Sequence, residues 1–177
     1  IANDIAVFRL SPDELDAVQL GMRDSVAAKT PKLKLEDYFE RLKMLLKGRR
    51  DQEVNAFLSA AASEQGVQKF PSGLLYKETA AGTGANPKPS DTVKVHYHGT
   101  RTDGSVFDSS VTRGEPSQFP LSGVVRCWQE GIPLMKMGGK ARLICPAHIA
   151  YGERGHPPAI LPGATLIFDV ELLAINP

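Results

Sequence analysis

The first part of the chain places its apolar residues at a helical period. Ser11-Pro12-Asp13-Glu14 predicts a helix start, because Ser11 can cap the helix, Pro12 suits its first turn and Glu14 completes a capping box. Apolar residues then recur along one helix face, and Thr30-Pro31 ends the run. The residues of this face are Leu15, Val18, Met22 and Val26.

A second, longer helix is predicted from about Leu35 to Gln65. Its apolar stripe comprises Leu35, Tyr38, Phe39, Leu42, Leu45 and Leu46 and resumes at Val54, Phe57, Leu58 and Ala61. Arg49 and Arg50 follow Gly48 in the interval, so we expect a bend or an exposed waist there. At 1.5 Å per residue this helix would be about 45 Å long. The first helix is too short to cover it, so the stripe requires either the second domain or another subunit.

From Gly66 onward the period changes to two, which is typical of strands. Val93, Val95 and Tyr97 face one side, while Lys94, His96 and His98 face the other. Residues 140–145 and 166–172 alternate in the same way, and Thr102-Asp103-Gly104 predicts a hairpin turn. Residues 127–134 are the only helical candidate in this part, and the Pro- and Gly-rich residues 146–162 predict a long loop.

Prolines and glycines separate the two parts of the chain. Only two of the 13 prolines and three of the 16 glycines precede Phe70. Because both residues are disfavoured inside helices, the composition predicts an all-α module over residues 1–65 and a β-rich domain over residues 66–177. The predicted fold class is α+β: an antiparallel sheet wrapped around one short helix, preceded by the all-α module with its long connecting helix.

Charge and hydropathy exclude two classes of protein. The chain carries 21 Lys and Arg against 20 Asp and Glu, a net charge of +1, so it lacks the concentrated basic surface that nucleic acids require. No apolar run approaches the roughly 18 residues of a membrane span. We therefore expect a soluble protein that does not bind nucleic acid.

Cysteine and histidine leave some chemistry open. Cys127 and Cys145 lie in no zinc-binding pattern. They could form a disulfide, although two buried free thiols are the commoner arrangement. His96 and His98 share a strand face and could chelate a metal, but no third ligand is placed beside them. We therefore expect no metal.

Five motifs in order carry a specific resemblance. Val95-His96-Tyr97-His98-Gly99 is followed by Phe107-Asp108-Ser109-Ser110, Trp128-Gln129-Glu130-Gly131, Ala150-Tyr151-Gly152 with Gly155-His156-Pro157, and the run from Ala164 to Leu172. This series resembles the domain of FKBP-type peptidyl-prolyl cis–trans isomerases from about Gly66 to Ile175. Gly21-Met22-Arg23-Asp24 resembles the Mip-like class, whose N-terminal helical domain makes dimers.

The resemblance implies a prolyl isomerase with an apolar proline pocket and no cofactor. It implies catalytic roles for Tyr97, Phe107, Asp108 and Tyr151, with Asp108 held by Tyr97 and Arg113. The residues expected to bind substrate are Arg113, Phe119, Val124, Val125, Trp128, His156, Ile160 and Phe168. The Val125 N–H and the Tyr151 hydroxyl would donate hydrogen bonds to substrate carbonyls. The pattern departs from the family at Cys127, Ser117 and Ala159, which puts substrate preference in question.

The resemblance also implies partners and a location. Expected partners are proline-containing polypeptides, macrolides of the rapamycin type and a second copy of the chain. The expected location is the bacterial cell envelope or periplasm. A binding chaperone or a scaffold with weak isomerase activity is the alternative function, and chaperone activity could accompany catalysis.

Without the motif series, each residue would have a plainer interpretation. Asp108-Ser109-Ser110 would be a turn or a helix cap, and the aromatic residues would be ordinary core. His156 would be a loop histidine without a role.

Overall fold

The computed structural model describes residues 10–30 and 39–177. Helices α1 (Pro12–Val26) and α2 (Phe39–Ala62) precede strands β1 (Val67–Lys69), β2 (Leu75–Ala80), β3 (Thr92–Arg101), β4 (Val106–Ser109), β5 (Ser117–Pro120), β6 (Lys140–Cys145) and β7 (Leu166–Ile175). Two short helices, α3 (Ser110–Arg113) and α4 (Arg126–Gly131), lie between strands, as do 3₁₀ turns at Leu121–Gly123, Ile132–Leu134 and Ala147–Ile149. The predicted α+β class is confirmed. The expectation of a single helical segment after Gly66 is wrong, because α3 is a second one.

The chain divides into two compact units, one ending at Glu53 and one beginning at Val54. In the first unit, α1 begins as the sequence predicts. The Ser11 hydroxyl accepts from the Glu14 N–H at 3.3 Å, and the Glu14 carboxylate accepts from the Ser11 N–H at 2.8 Å. Arg49 Nη2 also donates to Glu14 Oε1 at 2.5 Å. This bond and then the Ser11 N–H lower the pKa of Glu14 from 4.5 to about 2.

Helix α2 continues unbroken through Gly48, Arg49 and Arg50. The expected waist is instead the place where half-buried Arg49 pairs with Glu14. Residues 31–38, with Leu35 and Tyr38 of the predicted stripe, lie outside the described residues, as do the side chains of Phe39 and Leu42.

The last turns of α2 belong to the second unit, because their apolar residues pack on its sheet. Ala61 is buried against Leu75 and Ile144, and Phe57 and Leu58 are half-buried in the same cluster. The second half of the predicted stripe is therefore covered by the outer face of the sheet. The division between units lies before the boundary expected from the sequence, and a domain that begins at Gly66 stays a prediction.

All strand pairs of the sheet are antiparallel, in the order β1-β2-β6-β7-β3-β4, with β5 also paired to β3. The inner face carries the main core, to which the predicted inward positions Val93, Val95 and Tyr97 belong. Leu166, Phe168, Val170 and Leu172 on β7 are buried in the same core. Period-two patterning thus identified the buried face of both long strands.

Strand β3 shares its free edge between two partners. Residues 98–100 pair with β4, and residues 92–95 pair with β5. Between these pairings the Ser110 hydroxyl accepts from the Tyr97 N–H at 2.8 Å and donates to the Tyr97 carbonyl at 3.2 Å. A side chain therefore satisfies the backbone groups that a continuous neighbouring strand would otherwise bond.

Helix α4 lies against the inner face of the sheet. A Cβ at Gly131 would come within 2.7 Å of the buried Leu143 side chain, so any larger residue here would force that side chain to shift. Cys127 in α4 forms a disulfide with Cys145 at the end of β6, with Cα atoms 5.7 Å apart. This pairing corrects the expectation of two buried free thiols and leaves no thiol beside Trp128.

Candidate functional site

The site is built around Trp128, which α4 presents to the sheet. Its side chain is 4% exposed and meets the rings of three neighbours edge to face. The ring centroids lie 5.3 Å from Tyr97, 5.7 Å from Phe119 and 5.3 Å from Phe168. Because β3, β5 and β7 supply these rings, the aromatic cluster around Trp128 requires the assembled sheet. Such tilted geometry is favoured because positive ring edges meet negative ring faces.

Phe107 adds a further wall to this cluster. Its ring lies 5.5 Å from that of Phe168 at an angle of 86°. A Cβ on Gly99 would come within 2.6 Å of the Phe107 ring, so the glycine of the first motif makes room for it. Val124 and Val125 complete this side, half-buried against the core where α4 begins. The predicted apolar wall residues therefore lie together.

A carboxylate lies at the rim of this apolar cluster. Asp108 Oδ2 accepts from the Tyr97 hydroxyl at 2.5 Å, and Asp108 Oδ1 accepts from Arg113 Nη1. Arg113 Nη2 also donates to the Tyr97 hydroxyl at 3.0 Å and to the Ser117 hydroxyl at 3.2 Å. Tyr97, Asp108 and Arg113 thus bond one another in a closed network that fixes the direction of the carboxylate. Ser117, which the sequence analysis named only as a departure from the family pattern, thus holds the Arg113 side chain.

Local structure explains how Arg113 reaches Asp108. Ser109 caps α3 by accepting from the Thr112 N–H at 3.2 Å, and Gly114 ends this single turn with φ of 79°. The turn folds the chain back so that Arg113, five residues after Asp108, faces it. The plainer interpretation of Asp108-Ser109-Ser110 as a cap is therefore correct for Ser109. Sequence reasoning missed Ser110, whose bonds to Tyr97 fill the gap in the edge of β3.

Electrostatics keep this network in one protonation state near neutral pH. Burial opposes the charge on Asp108, but the hydrogen bonds from Tyr97 and Arg113 outweigh it and lower the pKa of Asp108. Burial, followed by the bond to Asp108, raises the pKa of Tyr97. Bonds to Tyr97 and then Asp108 raise the pKa of Arg113. Asp108 is thus a fixed negative charge rather than a group that exchanges protons.

The loop between β6 and β7 carries three further residues of the predicted site. The Tyr151 and His156 rings lie 6.0 Å apart, and Ile160 is buried in the core. Burial and then the charge of Asp108 raise the pKa of Tyr151. The Tyr151 hydroxyl therefore stays protonated at neutral pH and remains a hydrogen-bond donor.

His96 and His98 lie on the opposite, outer face of the sheet. The Nδ1 atoms of His96 and His98 lie 3.1 Å and 3.0 Å from the hydroxyls of Ser110 and Ser109. Both histidines line a concavity of about 360 Å³ together with residues of β2, β6 and β7. Within residues 10–30 and 39–177, no three His, Cys, Asp or Glu side chains are grouped so as to hold a metal ion.

Comparison with known proteins agrees with this geometry. A sequence model of the FKBP-type peptidyl-prolyl cis–trans isomerase family matches residues 84–173. The isomerase FkpA of Aeromonas hydrophila is 46% identical over 80% of the chain and 55% of its own length. Outer membrane protein MIP of Legionella longbeachae is 38% identical over 91% of the chain and 75% of its own length. The chain spans about half the length of the FkpA relatives it matches.

Solved structures lead to the same family. The crystal structure of FkpA from Escherichia coli superposes with a TM-score of 0.67 at 40% identity. That match covers 95% of this chain and 83% of the other. The resemblance seen in the sequence motifs is thereby confirmed.

Proposed function

The chain belongs to the FKBP-type peptidyl-prolyl cis–trans isomerase family, and from that premise we propose that it accelerates the cis–trans isomerisation of X–Pro bonds in polypeptides. The observation that carries the proposal is the buried Trp128 ring with aromatic edges on three sides and the Asp108 network at its rim. In this proposal the rings around Trp128 bind the prolyl ring, and Asp108 is a fixed charge beside it.

The reaction itself explains why such a site suffices. Resonance in the peptide bond sets a rotation barrier of about 18–20 kcal/mol. Twisting the bond removes the resonance and its charge separation, so the twisted amide is less polar than either planar form. A cavity that is apolar and poor in water therefore stabilises the twisted form more than the ground states. X–Pro bonds suit the reaction because both of their isomers are accessible.

In this proposal each part of the site has a separate role. Trp128 and the surrounding aromatic rings hold the proline, while the Tyr151 hydroxyl and the Val125 N–H donate to substrate carbonyls. Asp108 orients the rotating amide electrostatically, and no proton is transferred. His156 and Ile160 close the pocket from the loop.

A direct assay tests the proposal. The full chain should accelerate isomerisation of a short Xaa-Pro peptide, measured by protease-coupled release or by exchange NMR. Tyr97→Phe should lower kcat/KM by about tenfold, because Asp108 and Arg113 lose a shared hydrogen-bond partner. Tyr76→Phe is the matched control, since the buried Tyr76 hydroxyl has no hydrogen-bond partner among the described residues. A folded chain without measurable catalysis would rule out the proposed function.

We extend the proposal to macrolides of the rapamycin type, which would occupy the same pocket. Trp128 is the only tryptophan of the chain, so its emission reports on this position alone. Binding should change that emission in a saturable way, with a midpoint equal to the inhibition constant. Saturable inhibition with constant emission would place the ligand elsewhere.

For the N-terminal unit we propose homodimer formation. Leu20 is 56% exposed, Met22 51%, Met44 73% and Leu45 48%. Apolar side chains at this density on a pair of helices favour burial against another surface. A second copy of the chain is the proposed partner, in line with the Mip-like resemblance of this region.

Solution mass tests the dimer. The chain should have twice its monomer mass in light scattering at tens of micromolar. Leu45→Glu combined with Leu46→Glu should produce monomers, because two charges would enter the apolar contact. Gln52→Glu adds a charge on an exposed position of the same helix and should leave the mass unchanged. A wild-type chain that is already monomeric would contradict the proposal.

The same exposed residues also favour an additional activity, the holding of unfolded clients. Prevention of client aggregation by a variant without catalysis would support it.

We further propose a location in the bacterial cell envelope. The disulfide supports an oxidising compartment, and one relative is named an outer membrane protein. Among the described residues, no helix is long and apolar enough to cross a membrane.

A further inference from the structure

The loop from residue 146 to 165 forms a small closed lobe at its far end. The His156 N–H donates to the Ile160 carbonyl at 2.8 Å, and the Ile160 N–H returns a bond to His156 at 2.9 Å. A Cβ on Gly155 would come within 2.5 Å of the Ile160 carbonyl oxygen, and Gly155 has φ of +64°. The lobe is therefore packed closely on itself and carries His156 and Ile160 as one body.

This lobe is tied to the sheet by a residue outside the predicted site. Arg101, the last residue of β3, donates from Nη2 to the carbonyl oxygen of Ala159. The bond joins residues 58 positions apart, and Ala159 is the neighbour of Ile160. At the start of the loop, seven residues before Gly155, His148 Nε2 lies 2.7 Å from the Ser72 carbonyl oxygen.

The hairpin between β3 and β4 fixes the direction of the Arg101 side chain. Arg101 Nη1 donates to the Ser105 hydroxyl at 2.7 Å, and that hydroxyl donates to Asp103 Oδ1 at 2.5 Å. The Ser105 hydroxyl and then the Ser105 N–H lower the pKa of Asp103, so the anchor stays charged at neutral pH. Arg101 Nε is buried without a partner among the described residues. The two terminal nitrogens of the guanidinium thus bond the Ser105 hydroxyl and the Ala159 carbonyl, while its Nε–H stays without a bond among the described residues.

We propose that Arg101 is a positioning residue: by holding Ala159 it sets the place of Ile160 and His156 against the proline pocket. This inference rests on the proposed isomerase function. Arg101 touches neither Asp108 nor Trp128 in any hydrogen bond or ring contact of the described residues. Loss of the Arg101 side chain should therefore weaken substrate binding by the loop. The rate at which the bound X–Pro bond isomerises should stay unchanged.

The test compares three variants of the full chain with the wild type. Arg101→Met keeps the aliphatic stem and removes the donors, and Arg101→Lys restores one donor without the planar fork. Arg154→Met removes a guanidinium from the same loop, where Arg154 is exposed, and serves as the control. The readouts are KM and kcat for an Xaa-Pro peptide and hydrogen exchange of the His156 and Ile160 amides.

In Arg101→Met we expect KM to rise by about tenfold with kcat within about twofold, and amide exchange at His156 and Ile160 to quicken by about tenfold. Arg101→Lys should recover part of both effects, and Arg154→Met should change neither. Unchanged exchange in Arg101→Met would overturn the proposal, as would equal effects of the Arg101 and Arg154 variants. If the wild-type chain does not isomerise the peptide, the proposed function fails, and hydrogen exchange alone then decides whether Arg101 positions the loop.

Discussion

The two units of this chain differ in how completely they bury their apolar residues. In the unit from Val54 onward, one core joins both long strands, α4 and the aromatic cluster around Trp128. In the unit up to Glu53, none of the described side chains is buried, and α1 contributes no buried residue. Over the part of the chain that the structure describes, the second unit therefore buries apolar side chains in a core, whereas those of the first unit stay exposed or half-buried.

The two units show that a periodic pattern of apolar residues can lead to a buried face or to an exposed one. Helical periodicity in α1 and strand periodicity in β3 both predict a buried face. Among the described residues, one face of β3 is buried in the core, whereas no residue of α1 is buried. The exposed apolar face of α1 is what the proposed homodimer would bury.

The strongest test of the comparison removes one apolar side chain from each unit. Leu143 is fully buried beside Gly131, and Leu20 is 56% exposed. Leu143→Ala should lower the free energy of unfolding by about 3–4 kcal/mol because it leaves a cavity. In a monomer, Leu20→Ala should change it by less than about 0.5 kcal/mol. Denaturant titration measures the free energy of unfolding of both variants. Equal losses would contradict the difference in burial between the two units.

A second test removes the cross-link of the second unit. Cys127→Ala combined with Cys145→Ala opens a connection across 18 residues. Constraint of the unfolded chain by such a loop is worth about 3 kcal/mol, so the variant should be less stable by about that amount. Reduction of the wild type should reproduce the loss and leave the double variant unaffected. A reduced wild type as stable as the oxidised chain would contradict this prediction.

A third test separates catalysis from stability within the second unit. Asp108→Asn should weaken stabilisation of the transition state by about 1–2 kcal/mol, because one charged contact is lost. This corresponds to a fall in kcat/KM of about five- to thirtyfold. Because the pKa of Asp108 is lowered, its contribution is complete above the ordinary carboxyl range and disappears only as pH falls through the lowered value. Wild-type activity on a peptide should therefore be flat between about pH 6 and 8 with respect to this group. A rate that followed titration of Asp108 in that window would exclude its role as a fixed charge.

The smallest expected effect concerns the first unit. The pKa of Glu14 is lowered from 4.5 to about 2, so its stabilising contact is complete above about pH 4.5 and is lost as pH falls through about 2. Carboxyl NMR of Glu14 should show this acidic midpoint. Glu14→Gln keeps a capping side chain and should abolish the pH dependence. A midpoint near 4.5 would mean that Arg49 and Ser11 do not hold Glu14 in solution.

Sequence patterns predicted much of the second unit, because period and motif order are local properties. The inward residues of β3 and β7 and the aromatic cluster around Trp128 follow from them. What the sequence could not supply are contacts between distant residues. The Cys127–Cys145 bond depends on Cα separation, and the bond from Arg101 to Ala159 depends on where a loop returns. No local pattern contains either distance.

The division of the edge of β3 between β4 and β5 has a consequence for how this domain can vary. The segment between the two pairings contributes Ser110 to the ladder and Arg113 to the site, and residues 111 to 115 are exposed. Its length is not set by strand register, because each flanking strand is paired independently. Insertions after Gly114 would therefore be absorbed as a longer surface loop. An engineer could graft a peptide-binding segment there and bring a chosen polypeptide next to the aromatic cluster around Trp128 without redesigning the sheet.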